Sequence, residues 1–513
     1  MTRRGWAEAL LAAAVLVGVP VVIAVATGGW VIPHNDAWAH AVIAQTWAET
    51  GRIELVGWNR PALLGQVLLL GPLGASVGVQ HVFVALCGFV ALIMTYLLVL
   101  PRAGESGGLL ALAALGVTPE FGLLTTSYMS DVPALAGMLT CLWAADKAIR
   151  DGSIGLWWLA VVAGAWAVTV REQALVAPVA ALTAAWLARR PSRALVAVSG
   201  AALAAALGAF EWWRRSLPAD DPPGFEGLDA RSVVTVSVQI LMTLGLFLVP
   251  VVLAAAHPHR WRPRWVWVGI GAGAVTVALA IVAVGRRALL GNYVGPGVAY
   301  PVASVEAPAL VPPGVWNVVV VAVAVAAALL VGQVWHERLP RDPLLLCAGA
   351  LLLLGTLAQA ALGHHVLSRY LLALVPIGAG LLLAGRTDLA KRAAWAVAGL
   401  LFAWGCALTV ATQSYDIARW AAAERLVAAG APARDIDAGL EWVGTHAAEP
   451  FDWGLARGGT DSWYVSGFAS SRSCHIVAGG PLAGRQPAEI VTFPTFGVDA
   501  LLASRLYVYS GGC

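Results

Sequence analysis

The residues that could do chemistry in this sequence sit at the ends of its apolar runs. Asp36 closes the stretch Trp30-Val31-Ile32-Pro33-His34-Asn35-Asp36, just after the first apolar run. Asp131 stands in Thr125-Thr126-Ser127-Tyr128-Met129-Ser130-Asp131-Val132-Pro133, where a turn meets the next run, and Glu120 lies in the same hairpin. Cations hold matching places: Arg60 before Pro61, Arg171 in Arg171-Glu172-Gln173, and His364-His365 shortly before Arg369-Tyr370. A carboxylate held near a hydroxyl can take its proton, and cations can carry the charge that develops on a departing anion. A departing phosphate asks little of a general acid, so one base and a cationic cradle would complete a group transfer. Asp36 is then the base and Asp131 the second catalytic acid. Arg171 and Arg369 form the main phosphate cradle, with His364, His365 and Arg60 as lesser members. His34, Asn35, Tyr128, Glu172, Tyr293 and Tyr370 would line the site.

Simpler roles stand beside these. Asp36 could do no more than cap a helix that starts after Pro33. Asp131 could do the same for a helix with Pro133 in its first turn, and Arg171 could pair locally with Glu172. No His/Cys spacing of a structural zinc site is present, and there is neither a Gly-rich phosphate loop nor a nucleophile motif. No cofactor is certain; if the chain used a divalent metal, Asp36, Asp131 or Glu120 would hold it.

The elements that must position these side chains are membrane helices. Of the 513 residues, 59% are hydrophobic and only 12% charged, whereas a soluble domain carries about 25% charged residues. A net charge of +3 leaves no footprint for a nucleic-acid partner. Apolar runs of spanning length, about 20 residues, fall near 6–27, 77–100, 108–126, 131–149, 154–170, 172–188, 194–213, 232–256, 265–284, 315–335, 343–362, 366–384 and 393–411, about thirteen in all. The first run follows Arg3 and Arg4 and lacks a small-residue cleavage site, so it reads as a retained anchor. The Lys and Arg of the short loops favour a cytoplasmic N-terminus, and an odd number of spans then puts the C-terminus outside. The first outer loop holds a helix from Asp36 with Trp38, Val42, Ile43 and Trp47 on its apolar side, expected to lie along the interface. Residues 61–74 read as a second interfacial helix. The helix start at Asp36 would also bring the positive end of its dipole to the carboxylate.

After Ala411 the composition turns polar, which divides the chain into a transmembrane catalytic domain, 1–411, and a small extracytoplasmic α/β domain, 412–513. Ser414 is positioned to cap a helix over 415–429 that Gly430 ends. Strand-like runs follow at 434–438, 463–468, 475–478, 489–493 and 506–509. Cys474 and Cys513 lie in this compartment and make a candidate disulfide. Cys87, Cys141, Cys347 and Cys406 lie in apolar runs and read as small buried groups.

Together these features resemble the integral-membrane GT-C glycosyltransferases, especially the protein O-mannosyltransferases and the lipid A aminoarabinose transferase. The resemblance is carried by the acid in the first outer loop, the interfacial helices after it, Ser130-Asp131-Val132-Pro133, Arg171-Glu172-Gln173 and Arg369-Tyr370-Leu371-Leu372. It implies a GT-C-like α-helical polytopic fold in the plasma membrane. It also implies a polyprenyl-phosphate-linked sugar as donor, inversion at the anomeric carbon, and Asp36 as base or metal ligand. The acceptor would be a glycan, a lipid or a protein. Members of that family often carry Asp-Glu in the first loop, whereas here Ala37 follows Asp36. The rival class is a transporter or flippase of a lipid-linked sugar. That class calls for polar residues at mid-membrane and interrupted repeats, while the charges here gather at the ends of the runs.

Overall fold

The computed structural model of the 513-residue chain describes residues 2–58, 64–217, 230–256, 287–295, 311–336, 339–386, 391–456, 462–493 and 504–511, with Gly271, Gly273 and Leu389 standing alone. Apolar runs rich in Leu, Val and Ala close their backbone bonds internally, the arrangement a bilayer demands. They form α1 (Arg3–Thr27), α4 (Val77–Gly116), α6 (Asp131–Asp151), α7 (Ile154–Val170), α8 (Val176–Ala188), α9 (Arg193–Arg215), α10 (Ala230–Ala255), α11 (Pro313–His336), α12 (Pro343–Ala361), α13 (Leu374–Leu382) and α14 (Lys391–Ala428). The first loop carries α2 (Ala37–Thr50) and α3 (Leu64–Leu70), and α5 (Phe121–Thr125) follows α4. Eight described helices are long and apolar enough to cross a membrane, and the chain is a multi-pass membrane protein. Helix starts follow their caps: Thr2, Ser153, Ser192 and Asp342 each accept a bond from the first turn of the helix after them.

The helices depart from the expected spans in definite places. α4 is one continuous stretch of 40 residues broken at Gly104, whose φ of 69° and ψ of −177° suit glycine alone. Pro101 sits just before the break, so the chain turns back there rather than running on. The second limb ends at Gly116, not near 126, and α5 begins only after Glu120. The runs 172–188 and 366–384 open with 3-10 turns, Glu172–Leu175 and Ser368–Leu371, before α8 and α13. The run 265–284 lies almost wholly outside the described residues.

Ser414 starts no helix. α14 continues unbroken from Lys391 to Ala428, because nothing between Ala411 and Tyr415 interrupts its backbone bonding, and the composition change at 411 falls inside one helix. Beyond it come β1 (Ile436–Asp437), α15 (Leu440–His446), β2 (His475–Ala478), β3 (Glu489–Phe493) and β4 (Ser504–Ser510). Among the described residues they make a four-stranded sheet of order β1-β2-β4-β3, with β1 parallel to β2 and the other pairs antiparallel. The stretch 463–468 is a turn with a 3-10 segment instead of a strand, since Tyr464 and Phe468 are buried without alternation. Cys474 is disulfide-bonded, and its expected partner Cys513 lies outside the described residues. The other four cysteines are free thiols.

The start of α2 is packed on protein. Trp38 is 1% exposed and shares a core with Tyr415 of α14 and with Trp442, Phe451 and Phe468 of the C-terminal unit. Its ring sits against Gly444 so closely that a Cβ there would lie 2.5 Å away. Burying the indole stabilises the contact by about 2 kcal/mol.

Candidate active site

Four chain segments far apart in sequence meet at one end of the bundle. The first loop brings Asp36, the start of α6 brings Asp131, the exit of α7 brings Arg171, and the 3-10 turn before α13 brings Arg369. Neither acid caps its helix. Asp36 adopts right-handed helical angles at the start of α2 and makes no cap bond, while Asn35 before it takes φ of +51°. Asp36 stands at the start of α2, and its carboxylate turns to side chains. Trp58 Nε1 donates to Asp36 Oδ1 at 3.0 Å, and Arg369 Nη2 donates to Asp36 Oδ2 at 3.2 Å.

Arg369 also approaches the second acid, with Nε 3.7 Å from Asp131 Oδ1. Arg171 Nη1 pairs with the same oxygen at 2.9 Å and donates to Ser130 Oγ at 3.0 Å. The pairing of Arg171 is thus with Asp131, across helices. Asp131 is 3% and Arg369 6% exposed at the side chain, so these charges are withdrawn from water. Among the described residues, Arg369 Nη1 and Asp131 Oδ2 are buried with no hydrogen-bond partner. Burying such groups unpaired is expensive, and here they border a cleft lined by Arg171, Gln173, Leu352 and Tyr370. The guanidinium of Arg171 lies 4.7 Å from the centre of the Tyr370 ring, and Arg369 lies 5.8 Å from that of Tyr293. Asn35 Nδ2 reaches Tyr293 OH at 3.4 Å.

Residues 73–212 match the family model described as dolichyl-phosphate-mannose-protein mannosyltransferase. The resemblance to integral-membrane GT-C glycosyltransferases is thereby matched over this stretch, which contains Asp131 and Arg171 and stops short of Asp36 and Arg369. No curated protein matches the sequence. Similar solved structures include ArnT from Cupriavidus metallidurans bound to undecaprenyl phosphate, 13% identical over 99% of this chain and 98% of that one, with a TM-score of 0.41. The apo state of the same protein is 14% identical over 95% and 97%, with a TM-score of 0.40. At these scores neither likeness carries the account of the site, which rests on side-chain geometry.

The remaining expected members divide. His34 is buried two residues before Asp36 but turns away, with Nδ1 2.7 Å from Asp416 Oδ2. Tyr128 is buried beside His40, at 6.4 Å between ring centres. Glu172 follows Arg171 on the 3-10 turn and is exposed. His364 is half-buried and His365 exposed, and neither makes a side-chain hydrogen bond or ion pair among the described residues. The chain leaves α12 through Gly363, at φ +78°, in an open turn before Arg369. Arg60 lies outside the described residues. Glu120 accepts a bond of 2.5 Å from Ser368 Oγ, next to Arg369, and burial pushes it up to about 8. Burial likewise pushes His40 down to about 4, despite both acids nearby, so it adds no cation to the site.

An arginine stands between Asp36 and Asp131, and among the described residues no three His, Cys, Asp or Glu are grouped to hold an ion. The sequence reading missed Trp58, Ser130 and Ser368 as partners of the charged groups. Each lies within a few residues of a singled-out charge, but nothing in local spacing says that an indole 22 positions from Asp36 will bond to it.

Proposed function

We propose that the chain transfers one sugar from a polyprenyl-phosphate-linked donor to an acceptor hydroxyl on the extracytoplasmic face, with inversion and with Asp36 as general base. The observation that carries this reading is the sharing of Arg369 between Asp36 and Asp131, with its Nη1 buried beside a cleft and without a hydrogen-bond partner among the described residues. A guanidinium so placed has a donor to spare for a phosphate oxygen, and Arg171 lines the same cleft. The phosphate would compete with Asp36 for Arg369, leaving the carboxylate free to accept a proton.

The transfer then balances without a covalent intermediate. The acceptor oxygen forms its bond to the anomeric carbon as its proton passes to Asp36. The carbon–oxygen bond to phosphate breaks, its electron pair goes to the phosphate, and Arg369 and Arg171 hold the added charge. Attack from the face opposite the phosphate inverts the centre. Asp131 keeps the two arginines in register. The polyprenyl chain would lie among the membrane helices. Purified protein incubated with a short-chain polyprenyl-phosphate sugar tests the reading. Release of polyprenyl phosphate coupled to an inverted glycoside is expected, and intact donor after exhaustive incubation with glycan, lipid and peptide acceptors would refute it.

A further inference from the structure

The loop that carries Asp36 is held by the end of α14 and by the residues beyond it. Its two limbs, before Asp36 and around Trp58, are both gripped by residues C-terminal to Ala411. On the first limb, His34 Nδ1 bonds Asp416 Oδ2 at 2.7 Å, each side chain being 1% exposed. Asp416 Oδ1 in turn pairs with Arg419 Nη2 at 2.6 Å, and Arg419 contacts Glu441 and donates to the Ala438 carbonyl at 2.8 Å. On the second limb, Phe451 N–H donates to the Val56 carbonyl at 2.8 Å and Trp453 Nε1 to the Gly57 carbonyl at 3.0 Å. The Trp58 ring, whose N–H holds Asp36, packs edge-on to Phe451 and stacks on Trp453, at 4.9 and 5.3 Å between centres.

This arrangement has a cost that stability alone does not explain. Asp416, Arg419 and Glu441 are all buried, and taking ions out of water costs several kcal/mol each even when they pair. What the cluster does achieve is register. Asn35 is held at positive φ and Asp36 forgoes its own cap, so the local backbone does not fix the carboxylate. We propose that the unit formed by the end of α14 and the C-terminal sheet is a clamp that positions Asp36, acting through His34 and Trp58 as positioning residues. The inference rests on Asp36 being the base.

Two measurements test it, one of which needs no turnover. Hydrogen exchange in nanodiscs compares the unmodified protein with Asp416→Asn and Trp58→Phe at amides 32–38. Faster exchange there in both variants, with the membrane helices unchanged, is expected; unchanged exchange would overturn the clamp. In the transfer assay, His34→Ala and Trp58→Phe should lower kcat about 10²-fold, the effect of a misplacement on the order of 1 Å, with donor KM little changed. His34→Gln, which retains a donor for Asp416, should recover most of the rate. A raised KM with unchanged kcat, or no recovery with glutamine, would contradict a positioning role. Should His34→Ala fail to fold, Trp58→Phe decides, since it removes the indole N–H while keeping an aromatic ring at a half-buried position. If the unmodified protein transfers no sugar, the proposed reaction falls and the exchange result still decides the clamp.

Discussion

At the scale of single residues, what distinguishes this site is that opposite charges are paired in excess of what either helix start needs. Asp131 could have capped α6 and Asp36 could have capped α2; both carboxylates instead face arginines from other helices. Replacing Arg369 with alanine removes the cation paired with both acids, and turnover should fall about 10²–10³-fold, as for loss of an oxyanion donor. A folded Arg369→Ala protein with full activity would remove Arg369 from the cradle. Glu120 gives a separate, thermodynamic prediction. Its folded value lies near 8, above that of an exposed carboxyl, because burial disfavours the charge. The stability it contributes is therefore present in full below the ordinary carboxylate range and is lost as pH rises toward about 8. Thermal midpoints should decline over that window, and Glu120→Gln should flatten the decline.

The elements are tied together at the opposite end of the bundle by a second charge network. Arg102 on α4 bonds Asp146 of α6 at 2.8 Å and Asp342, the cap of α12, at 2.6 Å. Removing the arginine leaves the buried Asp146 with Arg150 and takes a cation from Asp342, so Arg102→Ala should destabilise the protein by about 1–3 kcal/mol, seen as a lowered thermal midpoint in detergent. At the nearby break, Gly104→Ala meets no atom within 4 Å yet must adopt a backbone region that side chains rarely enter. A loss of about 1–3 kcal/mol is expected from strain alone, and an unchanged midpoint would mean that the α4 turn has another geometry. Helix existence and type were legible here because long Leu/Val/Ala runs have one solution in a bilayer. The break at Gly104 was legible only as a gap between two runs, and the continuity of α14 was hidden by a change in polarity that the backbone does not follow.

For the whole molecule, the sequence pointed to a polytopic helical bundle with the reactive acids and arginines at one end, and the structure gathers Asp36, Asp131, Arg171 and Arg369 there. It could not show that His34 and Trp38 belong to a core shared with residues beyond 411, because that contact joins segments nearly the whole chain apart. Nor could spacing separate Arg369, which reaches both acids, from His364 and His365, which sit on an open turn a few residues before it. From the charge bias of the short loops we propose that the sheet unit lies outside the cell. A cysteine at the exposed position 485 should react with an impermeant reagent in intact cells, and protection would place the unit in the cytoplasm. The central claim is that Asp36 takes the acceptor's proton, and Asp36→Asn isolates it. Asparagine keeps the shape and can still bond Trp58 or Arg369 but is a far weaker base. Transfer by purified Asp36→Asn, measured beside donor binding, should be nearly abolished with binding retained, while Asp131→Asn loses less. Transfer at the unmodified rate would show that the base lies elsewhere.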